Sequence, residues 1–333
     1  MAVYTHLSAE TLGELVAHYD VGRLISAKGI AEGVSNSNWL VETAGADSAG
    51  ARFILTMFER NIDTSDLPFF LDLLDHLAAR DCPVPRTIHD REGAASRVVN
   101  GKHVALIEFL PGLSVDRPGA DQAFAAGEAL AGMHLAARDF SGSRSNTLGY
   151  EGVAGLLAQC EGRLPEIHRD LPGIVRQHIG ESEAARQATL PRGICHTDLF
   201  PDNVLFEGNR LRAMIDFYFA CDETLAYDLA TTHLAWSFEP GGAVYREDIG
   251  RSILDGYESV RPLEEAERDA LPSLAKAAAM RFIATRAYDW LFTPADALVT
   301  RKDPMEFVHR LRFYDEAGAA LFASDRAPRT PIS

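Results

Sequence analysis

Three polar side chains near the middle of the chain have the types and spacing of a phosphoryl-transfer site. Asp198 and Asn203 belong to a His-x-Asp-x-x-x-x-Asn motif that begins at His196, and Asp216 follows at the end of an apolar run. In such sites one carboxylate orients an attacking hydroxyl, while an amide oxygen and a second carboxylate hold Mg²⁺ on the nucleotide phosphates. An ordinary hairpin with polar turns is the alternative, but it does not require this spacing.

A turn rich in glycine, serine and asparagine lies earlier in the chain, between predicted strands at 24–30 and 39–43. Its backbone N–H groups are suited to nucleotide phosphates, although the same residue types favour a plain hairpin turn. The turn is neither G-x-G-x-x-G nor a P-loop, so its position ahead of the central motif supports the nucleotide interpretation. The predicted nucleotide-binding residues of this turn are Gly33, Ser35, Asn36, Ser37 and Asn38.

The elements around these motifs predict an α+β protein with two lobes. Residues 1–110 contain mostly predicted strands with one long helix at 67–80, and residues 111–333 are mostly helical. Apolar spacings of three and four residues support the helix predictions. We expect the first part to bind nucleotide and the second to carry the catalytic and substrate-binding residues. The helices predicted in the second part are 120–137, 246–257, 264–292 and 304–322.

The composition is typical of a globular protein with an apolar core. The 333 residues correspond to about two domains, and no apolar run approaches the roughly 20 residues of a membrane span. A net charge of −16 argues against a nucleic-acid partner. The N-terminus resembles no secretory signal, and the four widely spaced cysteines fit a reducing cytoplasm. We expect a cytoplasmic protein with no membrane or nucleic-acid partner, and the sequence indicates no oligomeric state.

Together these segments resemble the protein-kinase-like fold and, within it, the aminoglycoside phosphotransferase superfamily. The longest similarity is to the homoserine kinases of the ThrB type. It runs through residues 29–43, 52–59, 67–85, 194–206, 215–230 and 280–291. The resemblance implies a small antiparallel-sheet N-lobe and a larger helical C-lobe. It also implies transfer of a phosphoryl group from ATP to the side-chain hydroxyl of the small molecule L-homoserine, a step of threonine biosynthesis, with Mg²⁺ as cofactor.

The resemblance further implies a role for each residue of the central motif. Asp198 is expected to be the catalytic base, and Asn203 and Asp216 are expected to bind Mg²⁺. His196 is expected to support the loop through hydrogen bonds, as a structural histidine. Asp228 resembles a structural aspartate that ties this loop to the helix after it.

One departure concerns a cation that most relatives carry on the third strand. Thr56 stands at the place of the usual Lys or Arg, and the helix at 67–80 lacks the glutamate partner. The absence of both the strand cation and its glutamate partner is physically consistent, because either one alone would be an unpaired buried charge. Lys28 on the first strand is a candidate substitute in a chain with only four lysines, and a solvated lysine is the alternative. The backbone from Glu108 to Leu110 is expected to bind adenine.

A zwitterionic acceptor needs a cation for its carboxylate and an acid or carbonyl groups for its ammonium. Arginine suits the carboxylate because its guanidinium donates two parallel hydrogen bonds. Arg281 and Arg286 lie on one predicted helix, and Asp289 follows Arg286 at a three-residue spacing. A surface salt bridge between Arg286 and Asp289 is the alternative. Tyr218, near the predicted metal aspartate, is a further candidate for the acceptor site.

Two other functions stay open at this point. The same chemistry on an aminoglycoside, choline or sugar would keep the kinase site and change the acceptor. A pseudokinase-like nucleotide-binding regulator is the other alternative, and Thr56 at the lysine position motivates it. Intact Asp198, Asn203 and Asp216 favour catalysis over that regulator.

Overall fold

The computed structural model describes residues 7–30, 36–44, 50–59, 64–186, 189–293 and 301–323. The predicted phosphate-turn residues Gly33 and Ser35 lie outside this set. The chain divides into two units, Met1–Pro111 and Gly112–Ser333. Within the described ranges, no helix combines the length and apolar character that crossing a membrane requires.

A six-stranded antiparallel sheet is the main element of the N-terminal unit. Its strand order is β1-β2-β3-β6-β4, and β5 also pairs with β6. Short connections between consecutive strands favour this antiparallel pairing of sequence neighbours. The strands are β1 (Arg23–Ile30), β2 (Asn36–Ala44), β3 (Gly50–Phe58), β4 (Thr87–Ile88), β5 (Arg97–Val99) and β6 (Lys102–Glu108).

The two faces of this sheet carry different residues. Opposite partners in antiparallel strands share a face, and successive residues alternate between faces. One face packs its apolar side chains, including Trp39 and Leu55, against helix α1 (Ala9–Val16). The strand register places Lys28, Asn38 and Thr56 on the opposite face.

The long helix of the N-terminal unit, α2, spans Leu67–Ala78, two residues less than predicted. A proline in its first turn is compatible with helix initiation, because the missing N–H has no helical partner there. Its buried stripe follows the helical period, and this apolar pattern made the helix predictable. The buried residues are Leu67, Phe70, Leu71, Leu73, Leu74 and Leu77.

Helices dominate the C-terminal unit, as the sequence predicts. Two small antiparallel sheets interrupt them, formed by β7 (Arg192–Cys195) with β10 (Cys221–Thr224) and by β8 (Val204–Glu207) with β9 (Arg210–Met214). The sequence analysis did not assign α4, α5 or α6, because glycines weaken the apolar period of α4 and α6 and α5 is one turn long. The helices are α3 (Ala120–Ala136), α4 (Tyr150–Cys160), α5 (Leu164–Ile167), α6 (Leu171–Arg186), α7 (Leu225–Trp236), α8 (Glu247–Val260), α9 (Glu265–Phe292) and α10 (Met305–Leu321).

Helices α3 and α8 pack with their backbones unusually close together. A Cβ atom on Gly127 of α3 would lie 2.1 Å from the carbonyl oxygen of Ile253 on α8. A Cβ atom on Gly256 of α8 would lie 2.0 Å from the carbonyl oxygen of Phe124 on α3. Glycine at both positions therefore permits this approach, which no side chain would allow.

Candidate active site

One buried carboxylate holds the loop that carries the His-x-Asp motif. Asp228 on α7 accepts hydrogen bonds from the backbone N–H groups of His196 (2.6 Å) and Thr197 (2.7 Å). His134 on α3 lies 3.0 Å from the same carboxylate through Nε2. Burial acts to raise the pKa of Asp228, but the hydrogen bond and charge of His134 hold that pKa below its ordinary value. Asp228 is therefore an ionised acceptor, and such hydrogen bonds are among the stronger ones in proteins.

Thr197 occupies a strained position in this loop. Its φ is 60°, in the left-handed region that β-branched residues rarely adopt. Such a conformation costs about 1–3 kcal/mol and persists only where the surroundings enforce it. Its N–H is bound by Asp228, and its hydroxyl donates to the carbonyl of Phe219 at 3.0 Å. The turn at Thr197 thus has a fixed geometry immediately before Asp198.

His196 links the loop to the end of strand β9. Its Nε2 lies 3.0 Å from the carbonyl oxygen of Ile215, and its Nδ1 accepts the backbone N–H of Asp198 at 3.3 Å. Burial lowers the pKa of His196, so the ring is neutral and each nitrogen has one role. The ring also packs 4.5 Å from that of Phe217. These contacts fit a structural histidine.

The same loop brings Asn203 to Asp198. The Asn203 side-chain nitrogen donates to the backbone carbonyl of Asp198 at 2.8 Å and lies 3.5 Å from its Oδ2. The carbonyl of Asn203 accepts the N–H of Ile215 at 3.0 Å, which joins the loop to the residue before Asp216. The side-chain oxygen of Asn203 accepts no hydrogen bond from the described residues, so it is available as a ligand atom.

Asp216 completes this cluster from the end of β9. It adopts a left-handed conformation with φ 64° and ψ 57°. Partial desolvation and the negative charges of Asp198 and Asp202 raise its pKa to about 7. A group of carboxylate and amide oxygens with excess negative charge is the donor set that a hard divalent cation prefers. The residues at this position therefore fit a Mg²⁺ site.

Arg281 on α9 contacts the loop that carries the His-x-Asp motif, residues 196–203, which is called the catalytic loop below. Its Nη1 donates to the carbonyl of Thr197, and its Nη2 lies 3.6 Å from Asp198 Oδ1. The residue is 2% exposed. Burial raises the pKa of Asp198, and the Arg281 charge opposes that rise. No local pattern indicates this contact, because 83 positions in sequence separate the two residues while the fold brings them together.

Arg286 faces helix α10 instead of an open cleft. Its guanidinium pairs with Glu306, donates to the carbonyl of Asp303 at 3.0 Å and lies 4.4 Å from the Phe307 ring centroid. The sequence analysis expected Arg286 to share a cleft with Asp289, or to pair with it on the surface. Within the described ranges Arg286 forms no ion pair with Asp289, because α10 supplies a carboxylate that the spacing within α9 does not reveal. The shared cleft stays a prediction.

Asn36, Ser37 and Asn38 were predicted to lie in a turn, but they begin strand β2, because they pair with β3 three residues earlier than the strand prediction at 39–43. The alternation of the strand points their side chains in two directions. Asn38 Oδ1 accepts a 2.9 Å hydrogen bond from the hydroxyl of Thr56, on the face that also carries Lys28. Ser37 points to the opposite face, where its hydroxyl donates to Glu59 at 2.7 Å. The Ser37 hydroxyl is therefore engaged within the sheet. Asn36 is buried, and its side-chain oxygen has no partner among the described residues.

Two further predicted nucleotide residues lie at the edges of the sheet. Lys28 is exposed on β1 opposite Leu40. Glu108 ends β6, and its N–H already donates to the carbonyl of Arg86 at 3.0 Å. Its carboxylate also lies 3.4 Å from the Arg86 side chain. The Glu108 N–H is therefore already engaged, and the proposed contacts with adenine would have to come from the rest of this backbone, up to Leu110.

The sequence reasoning missed His134. This residue is fully buried, with Nδ1 2.8 Å from the hydroxyl of Tyr257 and Nε2 on Asp228. A histidine in an alanine-rich helix carries no local signal of such a contact, since its partners lie far along the chain. The packing of α3 against both α8, which carries Tyr257, and α7, which carries Asp228, brings them together.

Comparisons with known proteins give the family of this chain. The model of the phosphotransferase enzyme family matches residues 26–263. A homoserine kinase from Rhizobium etli is 46% identical over 96% of this chain and 98% of that relative. A homoserine kinase from Acidiphilium cryptum is 45% identical over the same shares.

Solved structures share the fold at low sequence identity. An amicoumacin kinase superposes with a TM-score of 0.67 at 14% identity, covering 93% of each chain. A microcompartment-associated aminopropanol kinase gives 0.64 at 17% identity, covering 95% of this chain and 99% of that one. These likenesses confirm the predicted protein-kinase-like α+β fold. The chain belongs to the phosphotransferase enzyme family, in which its full-length relatives include homoserine kinases.

Proposed function

We propose that this chain transfers the γ-phosphoryl group of ATP to the side-chain hydroxyl of L-homoserine, giving O-phospho-L-homoserine and ADP. The observation that carries the proposal is a sequence identity of 45–46% to homoserine kinases over nearly their whole length. The cluster of Asp198, Asn203 and Asp216 supports the same chemistry. The product would enter threonine synthesis, and both substrates are available in the cytoplasm.

In this proposal Asp198 is the catalytic base. Its carboxylate orients the acceptor hydroxyl in line with the γ-phosphorus and accepts the hydroxyl proton as the new O–P bond forms and the bond to ADP breaks. Asn203 Oδ1 and the Asp216 carboxylate would hold Mg²⁺, which supplies charge neutralisation on the phosphates when bound. The protein contributes mostly by positioning, because phosphoryl transfer requires little covalent chemistry from side chains.

The residues proposed to bind ATP belong to the N-terminal unit. The backbone of residues 33–38, of which the last three begin strand β2, would lie near the phosphates, and the backbone between Glu108 and Leu110 would bind adenine. Lys28 shares a sheet face with Thr56, which supports its proposed role as the substitute cation. Ser37 would contribute through its backbone, since its hydroxyl binds Glu59.

Of the residues predicted to bind the acceptor, Tyr218 keeps the clearest role in this proposal. Tyr218 lies two residues after Asp216 and is half-buried, which supports a place in the wall of the acceptor site. Arg286 is engaged by Glu306, so binding the acceptor would require it to leave that ion pair. Arg281 donates to the Thr197 carbonyl and lies 3.6 Å from Asp198 Oδ1, so its guanidinium is engaged by the loop.

The test is an ADP-release assay with Mg²⁺-ATP and a panel of acceptors. The panel contains L-homoserine, L-serine, L-threonine, choline, 3-amino-1-propanol and an aminoglycoside, and ³¹P NMR identifies each product. We expect the largest kcat/KM for L-homoserine, with a phosphate ester on its side-chain oxygen. ADP release with another acceptor and not with L-homoserine would reject the proposed substrate. Nucleotide binding without turnover of any acceptor would favour a regulator.

A further inference from the structure

The guanidinium of Arg281 is bound to the catalytic loop on several sides. Nη1 donates to the Thr197 carbonyl, Nη2 lies 3.6 Å from Asp198 Oδ1, and the hydroxyl of Tyr227 hydrogen-bonds to the same side chain. The sequence analysis assigned Arg281 to the carboxylate of the acceptor. These contacts direct its hydrogen bonds to the loop instead.

Two aromatic rings enclose this guanidinium. Its central carbon lies 5.3 Å from the ring centroid of Phe219 and 4.8 Å from that of Phe282, and only 2% of the Arg281 surface is exposed. Such rings attract a cation and exclude water from it. In a site with little water, the attraction between Arg281 and the Asp198 carboxylate is stronger than it would be on the surface.

The strained backbone of Thr197 explains why the contact with Arg281 matters for the loop. Thr197 has a φ of 60°, and its N–H, carbonyl and hydroxyl are bound by Asp228, Arg281 and the Phe219 backbone, respectively. A strained residue relaxes when such contacts are removed. Without Arg281, both the Thr197 carbonyl and the adjoining Asp198 side chain would lose the group that fixes their orientation.

We propose that Arg281 is a positioning residue for phosphoryl transfer. It holds the turn at Thr197 and the carboxylate of Asp198 in the orientation that meets the acceptor hydroxyl, and it does not bind the acceptor carboxylate. The inference rests on the proposed function, because it takes Asp198 as the base. A misplacement of about 1 Å at a reacting group can lower a rate by about 10²-fold.

The variants that test this role are Arg281→Met, Arg281→Lys and Tyr227→Phe. Methionine removes the charge and keeps much of the volume, lysine keeps the charge, and phenylalanine removes only the hydroxyl that binds Arg281. Arg310→Met is the matched control. Arg310 is also a buried arginine between two phenylalanine rings, but it donates to the carbonyl of Leu234, away from the loop.

Each variant is assayed with L-homoserine and with 2-amino-1,4-butanediol, an acceptor that lacks the carboxylate. For Arg281→Met we expect kcat to fall by about 10²-fold, with the KM values for ATP and acceptor within about threefold of the wild type. The same relative loss is expected with the diol. For Arg281→Lys and Tyr227→Phe we expect a smaller fall in kcat. In one additional variant, Arg281→Ala, we expect guanidinium at low millimolar concentration to restore part of kcat. Arg310→Met lowers the melting temperature and keeps kcat per folded enzyme.

Two results would overturn the role. One is an unchanged kcat in folded Arg281→Met. The other is a loss confined to the KM for L-homoserine that disappears with the diol, which would make Arg281 a ligand of the acceptor carboxylate. If Arg281→Met does not fold, Arg281→Lys and Tyr227→Phe carry the same comparison. If the wild type prefers another acceptor, the proposed substrate fails, and the kcat comparison is made with that acceptor.

Discussion

The carboxylate of Asp228 accepts a 2.7 Å hydrogen bond from the backbone N–H of Thr197, whose φ of 60° is unfavourable for a β-branched residue. The hydrogen bond holds the strained residue in place, and the strained residue directs the chain into Asp198. The candidate base thus owes its position to a carboxylate 30 residues later in the sequence.

Replacing Asp228 by asparagine should weaken both the fold and the reaction. The variant has nearly the same shape but loses the charge that accepts hydrogen bonds from two backbone N–H groups and from His134. We expect the free energy of unfolding to fall by about 1.5–3 kcal/mol, the range for a hydrogen bond to a charged group. Urea denaturation and kcat measure the two effects. Exposed Asp269→Asn is the control, and equal stability of the two variants would contradict this account.

Gly127→Ala should destabilise the C-terminal unit. The added methyl group would meet the carbonyl of Ile253 at 2.1 Å, so α3 and α8 must move apart. Overpacking of this kind costs about 1–3 kcal/mol. Gly132→Ala on the same helix has no heavy atom within 4 Å of the new methyl group. We expect that control to gain about 0.5–1 kcal/mol from helix propensity. A melting temperature that falls equally in both variants would argue against the close helix approach as the cause.

Lys28→Ala should raise the KM for ATP with little change in stability. The lysine is exposed and shares its sheet face with Thr56, so its loss removes the proposed phosphate contact and no core packing. We expect a rise of about tenfold, equivalent to about 1.4 kcal/mol. Arg23→Ala, an exposed cation at the other end of the same strand, should leave the KM unchanged. An unchanged KM and kcat in Lys28→Ala would remove Lys28 from the site.

Asp216→Asn should abolish the Mg²⁺-dependent activity and stabilise the protein without metal. The folded state raises the pKa of Asp216 to about 7, while an unfolded chain titrates near its ordinary value of about 4. The unfolded state therefore loses its proton first, and this group lowers stability as pH rises from about 4 to 7. Solvent contact of the residue screens part of the effect.

The measurement is the melting temperature in EDTA across pH 4–8 for both proteins. As pH rises over that window, we expect the melting temperature of the wild type to fall relative to that of Asp216→Asn. Added Mg²⁺-ATP should then raise the melting temperature of the wild type more than that of the variant. If Asp216→Asn melts below the wild type at pH 8 in EDTA, the repulsion among Asp198, Asp202 and Asp216 is not what governs this site.

The part of the site that sequence could predict lies in one continuous stretch. His196, Asp198 and Asn203 sit within eight residues, and a short hairpin returns the chain to Asp216. Local spacing therefore determines which side chains meet. The helices with regular apolar periods were predictable for the same reason, because a buried stripe leaves its period in the sequence.

The contacts that sequence could not predict join distant segments. His134 meets Asp228 across 94 positions, and Arg281 meets Thr197 across 84. Arg286 pairs with Glu306 because α10 packs against α9, although Asp289 is nearer along the chain. Ser37 points away from Thr56 because the strand alternates faces, and a turn-like sequence hides that alternation.

The central claim is that this chain phosphorylates L-homoserine with Asp198 as the base. The most direct measurement is ³¹P NMR of the product from Mg²⁺-ATP and L-homoserine, run in parallel for the wild type and Asp198→Asn, with nucleotide binding measured separately. We predict O-phospho-L-homoserine from the wild type, a kcat lower by about 10²–10⁴-fold in the variant, and similar ATP affinity in both. No phosphorylated homoserine from the wild type, or equal kcat in the two proteins, would contradict the claim.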